Sequence, residues 1–179
     1  MTITEFWNAQ EFSRIATYSF NRNSNLVALR VAISRATEEL AQAVLSADFT
    51  QQFKLKRQLA DLERQAQVSP YEKRLLNHQR VIDSAATRIA LLQGESAEGR
   101  QLRMIMETAP SKVEYAAGCI PIYRDALVFY DEQGQLLRAL SICFECLYMQ
   151  GDDGTAVEAS ATVYNALREV LAQLGHPIE

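Results

Sequence analysis

Apolar positions recur along this chain with two periods, a helical one near 3.6 and a strand one of 2, and each change of period marks an element. Between residues 26 and 47, Leu26, Leu29, Ile33, Ala36, Leu40 and Ala43 return at intervals of three and four, which lines one face of an α-helix, while Val27, Leu29, Val31 and Ile33 also alternate and leave a strand over the first half open. Leu55, Leu59, Leu62 and Ala66 repeat that spacing and predict a second helix over 51–67. A third stripe, Tyr71, Leu75, His78, Ile82, Ala85, Ile89 and Leu92, keeps the alternation of a helix–helix seam for three heptads and predicts a helix over 71–92. Ahead of it, Ser69, Pro70 and Glu72 have the form of a capping box with proline at the first helical position. Short links between the three favour antiparallel neighbours, a helical hairpin or a three-helix layer.

Elsewhere the pattern is that of strands. Ile15 to Phe20 is β-branched and aromatic, and two apolar runs, 122–130 and 136–145, flank Asp131-Glu132-Gln133-Gly134. A three-residue loop with Gly134 in the left-handed region would make Asp131 face Gln135. Counted outward from there, Cys119 falls opposite Leu147, and Cys143 opposite Tyr123. Short helices are expected over 4–14 and 100–108, the latter with Leu102, Ile105 and Met106 inward. A final helix is expected from a Thr155–Glu158 capping box to Leu174, closed by Gly175 and Pro177. The fold class is therefore α+β, a small antiparallel sheet built on the C-terminal-half hairpin, with a helical layer over 26–107 and a C-terminal helix over the sheet.

Composition narrows the class further. At 179 residues, 48% hydrophobic and 22% charged, the chain has ordinary globular composition and is expected to form a single domain over 1–179. Its first residues have neither the basic nor the apolar segment of an export signal, and no run of eighteen apolar residues occurs, so the expected setting is the cytoplasm, away from membrane. Net charge is −4, unevenly spread: residues 50–107 carry ten basic and seven acidic groups, residues 108–179 four and ten. No basic stripe interleaved with aromatics appears, which argues against nucleic acid.

All three cysteines, Cys119, Cys143 and Cys146, lie in or beside the hairpin. Free buried thiols, a thiolate metal site and redox chemistry all remain open readings. A zinc site would join the three sulfurs to a fourth ligand such as His78 or His176. Residues three apart on a regular strand point to opposite faces, so Cys143 and Cys146 can share a site only if the strand bends or ends at Phe144-Glu145. If a disulfide forms, its partners are Cys119 and Cys146, since Cys143 lies roughly 13 Å along the strand from Cys119. Arg124-Asp125 interrupts an apolar strand, either as a ligand-binding pair or as an ion pair at a strand entry.

The residues Cys119, Pro121, Arg124, Asp125, Phe129, Tyr130, Asp131, Gly134, Ile142, Cys143, Phe144 and Cys146 resemble the recurring hairpin of a group of small bacterial proteins of uncharacterised function. That resemblance covers about 113–149 and implies a shared small sheet, with no particular activity. No catalytic or cofactor signature accompanies it, neither a nucleophile elbow nor a glycine-rich phosphate loop. The function expected is thus a non-enzymatic interaction protein whose helical surface meets a protein partner or a second copy of itself. The competing expectation is a zinc or thiol redox centre on the three cysteines.

Overall fold

The structure is a computed structural model, and it describes residues 1–22, 24–67, 70, 71, 73–108 and 118–178. Among these are five helices and six strands: α1 (Ile3–Asn8), β1 (Arg14–Ser19), α2 (Ser24–Leu45), α3 (Phe49–Gln67), β2 (Thr87–Gln93), α4 (Ala97–Met106), β3 (Asp125–Tyr130), β4 (Leu136–Cys143), β5 (Tyr148–Gly151), β6 (Ala156–Val157) and α5 (Ala161–Gln173). The strands form one antiparallel sheet in the order β2-β1-β3-β4-β5-β6, so the fold is α+β with a C-terminal helix. The chain divides into two compact units, Arg22–Lys73 and the remainder, Met1–Asn21 with Arg74–Glu179.

The first unit is the α2–α3 helical hairpin. Its inward stripes are those of the periodicity: Ala36, Ala43 and Leu55 are buried, with Leu29, Ile33, Leu40, Leu59, Leu62 and Ala66 half-buried. The turn between the helices is built locally. Ala47 takes φ +52°, its amide donates to the Val44 carbonyl, and the Asp48 amide reaches back to Ala43, which closes the end of α2. Asp48 then caps α3 by accepting from the Gln51 amide at 2.9 Å.

In the second unit each side of the sheet has its own core, as a period-2 pattern requires. On one side Ile15, Leu127, Phe129, Leu140, Ile142 and Met149 pack beneath α1, α4 and α5, which contribute Phe6, Leu102, Tyr164, Leu167 and Leu171 among others. On the other, Ala16, Tyr18, Val128, Ala139 and Cys143 lie with Leu75, Tyr123 and Cys146, and Ile82 and Ala86 pack against them. Central strand β3 is covered on both sides, which explains its unbroken Ala-Leu-Val-Phe run.

The hairpin folds at Gly134 as expected: φ is +81°, and the Asp131 amide donates to the Gln135 carbonyl at 3.1 Å. Beyond the loop the register differs from the simple count by one residue. A bulge between Phe129 and Tyr130 pairs Phe129 with Arg138 and Asp125 with Ile142.

Besides the N-terminal helix expected over 4–14, which ends at Asn8 with Arg14 already in β1, two larger sequence expectations are corrected. No helix spans 71–92 among the described residues. Leu76 bridges to Ile82, residues 77–80 form a tight turn, and β2 begins at Thr87 to pair with β1. The polar residues inside the apolar stripe decide this. The Asn77 side chain accepts from the amides of Gln79 and Val81, both at 2.9 Å, and Asp83 accepts from Ala85 at 2.9 Å, so side chains take donors that a helix would need. The capping box at Ser69 and Glu72 lies outside the described residues.

The second correction concerns the last helix, which starts at Ala161, with Ser160 at its N-cap, rather than at Thr155. Residues 156–158 are taken by β6 and by the N-terminus: the Glu158 amide donates to the Met1 carbonyl and the Ile3 amide to the Glu158 carbonyl, each at 2.9 Å. The helix closes at Gly175, φ +101°, where expected.

Candidate functional site

Strand β4 ends at Cys143, and a turn over 144–147 follows in which Leu147 adopts φ +50°. That break is the condition for Cys143 and Cys146 to lie on the same side of the sheet, and both belong to the core cluster of that side. Cys146 forms a disulfide with Cys119, Cα to Cα 5.6 Å, within the usual span. Cys143 stays a free, buried thiol. The one-residue shift at the bulge does not disturb this, because Cys119 lies beyond the last paired residues.

With two sulfurs bonded to each other, the cysteines offer one thiol rather than three thiolates. Of the two fourth ligands the sequence offered, His78 is exposed on the Asn77 turn and His176 is engaged with Asp125 and Thr17. Among the described residues no group of three or more His, Cys, Asp or Glu side chains is gathered to hold a metal.

Arg124 and Asp125 part company. Arg124 Nη1 meets Glu145 Oε1 at 2.7 Å at the surface, while Asp125 turns inward to His176, Nδ1 to Oδ1 2.7 Å. The other ring nitrogen, Nε2, lies 2.8 Å from Thr17 Oγ1. All three groups are buried, so this Asp–His–Thr chain is a lock between the residues after α5 and strands β1 and β3 rather than a reactive triad open to substrate. Sequence reasoning missed it. Its only signal was a histidine just beyond a helix-ending glycine, and nothing local indicates which strand it reaches.

Two of the four tyrosines on the cysteine side, Tyr123 and Tyr130, are held protonated. Burial pushes the Tyr123 hydroxyl up to about 12, with Tyr148 beside it adding to the effect. Burial and a hydrogen-bond contact with Tyr18, 3.3 Å between hydroxyls, raise Tyr130 as well.

A different kind of site lies at the turn of the α2–α3 hairpin. Leu45 is 81% exposed, Phe49 78%, Phe53 74% and Val44 54%. Phe49 and Phe53 are four apart and so share a face of α3, turned away from the buried Leu55. Lys54, Lys56 and Arg57 on α3, and Glu38 and Glu39 on α2, are exposed around them. In comparison with known proteins, the chain matches no family model, no curated protein and no solved structure. No helix among the described residues is long and apolar enough to cross a membrane.

Proposed function

We propose that this chain is a non-enzymatic interaction protein, with the α2–α3 hairpin as its contact element and a second copy of the chain as its partner. The observation that carries this reading is the set of large apolar side chains, Val44, Leu45, Phe49 and Phe53, left in water around one helical turn. Lys54, Lys56 and Arg57 give α3 a basic surface, and Glu38 on α2, next to a Glu39 already paired with Arg35 at 3.0 Å, offers it an acidic mate, so a twofold contact sets α2 of each copy against α3 of its mate.

The test is light scattering over a concentration series, with the wild type beside a Phe49→Asp/Phe53→Asp variant. The wild type is expected as a dimer and the variant as a monomer of unchanged helix content, because neither ring is part of a core. A wild type that stays monomeric at every concentration would overturn the reading, and so would a variant that still dimerises.

The Cys119–Cys146 bond favours a second reading, a thiol switch. In a cytoplasmic setting, where thiols are held reduced, such a bond is reversible: a dithiol reductant would be oxidised to its disulfide as both cysteines regain their protons. Alkylation counted by mass, with and without prior dithiothreitol, decides it. Resistance of the bond to reduction in the folded protein would remove this reading.

A further inference from the structure

The Asn77 turn stands over strands β4 and β5 and encloses with them a cavity of about 330 Å3, wholly within the sheet-bearing unit. The space exists because the sheet is paved there with small side chains, Ala139 and Ser141, where larger ones would have filled it. One wall is apolar, Leu75 and Leu76, and the rest is polar, with Arg74, His78 and Arg80 supplying cationic or protonatable groups.

Among the described residues, the only carboxylate lining it, Asp152, is already balanced. Its oxygens meet Arg80 Nη1 at 2.6 Å and Arg138 Nε at 3.0 Å, and the Ala139 amide donates to it at 3.2 Å. Arg80 itself sits at φ +59°, a conformation costly for a residue with a side chain. It is held there by Asp152 and by a 2.8 Å hydrogen bond to the Leu137 carbonyl, which fixes the guanidinium at the cavity wall. Among the described residues, neither the His78 ring nor the Ser141 hydroxyl makes a hydrogen bond. A rigid arginine, an uncommitted imidazole and an uncommitted hydroxyl thus line one pocket beside an apolar wall.

We infer that this cavity is a binding site for a small organic anion, its carboxylate or phosphate head held by Arg80, His78 and Ser141 and its compact body resting on Leu76, behind which Leu75 is buried. Planar guanidinium groups suit such heads, and the volume lies at the small end of the range for ligand pockets.

Isothermal titration with phenyl phosphate and with benzoate tests this, with benzyl alcohol as the neutral match. At least one anion is expected to bind saturably and the alcohol not at all; which anion binds sorts the two head groups. His78→Ala, on an exposed turn, is expected to weaken binding about tenfold, the loss of one charge-assisted hydrogen bond. Ser141→Leu, filling the floor, is expected to abolish it. Absence of binding by both anions, equal binding of the alcohol, or undiminished affinity in His78→Ala would each overturn the inference, and the last holds even if Ser141→Leu fails to fold.

Discussion

His176 shows how far a single residue can reach. It lies 51 positions from Asp125 and 159 from Thr17, yet its ring joins both with contacts under 3 Å, pinning the chain beyond α5 to two central strands. His176→Ala leaves a buried carboxylate without its imidazole partner, and a loss of about 3 kcal/mol in unfolding free energy is expected by chemical denaturation. Tyr123 gives a prediction in pH. Its folded pKa of about 12 stands above the ordinary tyrosine value of 10, so its contribution to stability is whole below pH 10 and fades as pH rises toward 12. Tyr123→Phe should flatten that alkaline fall, read from midpoints measured across the range. Ala47, at φ +52°, occupies a place suited to glycine, and Ala47→Gly is expected to stabilise the hairpin by about 1 kcal/mol.

Elements differ in how openly they declare themselves. Helices α2 and α3 were legible because their stripes run without interruption by turn-forming side chains and they pair with each other through adjacent sequence. The β3–β4 hairpin was legible from Gly134 and its flanking runs, although the bulge at Phe129 was not, since nothing local marks the extra residue. Strand β2 was misread as helix because Ile82, Ala85, Ile89 and Leu92 happen to fall at helical spacing, whereas Asn77 and Asp83 carried the contrary signal. The disulfide closes a span of 27 residues between Gly118's neighbour Cys119 and the end of the hairpin. Cys119→Ser is expected to cost roughly 3–4 kcal/mol by the loop-entropy relation, again by denaturant midpoint, with reduced and oxidised wild type as the two references.

At the scale of the molecule, the α2–α3 hairpin is an insertion between two strands that lie side by side, for Ser19 at the end of β1 pairs with Thr87 at the start of β2. Both core clusters of the sheet-bearing unit are built from that unit's own residues. Replacing 24–67 by a short glycine-serine linker should therefore leave a cooperatively unfolding protein with the near-ultraviolet signature of its packed aromatics; a molten product would refute this independence. The same division separates the two proposed surfaces, the apolar hairpin turn for a second copy and the anion cavity under the Asn77 turn.

What the sequence determined by itself is what short-range physics controls: the two long helices, the turn at Gly134, the end of α5 at Gly175 and which two cysteines a disulfide could join, though not that Cys119 and Cys146 are in fact bonded. The tertiary structure decided whatever depends on partners distant along the chain: that 87–93 joins the sheet edge, that residues 156–158 pair with the N-terminus, that Asp125 meets His176 and that His78 faces a cavity. Local spacing records which side a residue prefers to bury, and only packing determines what lies there to bury it.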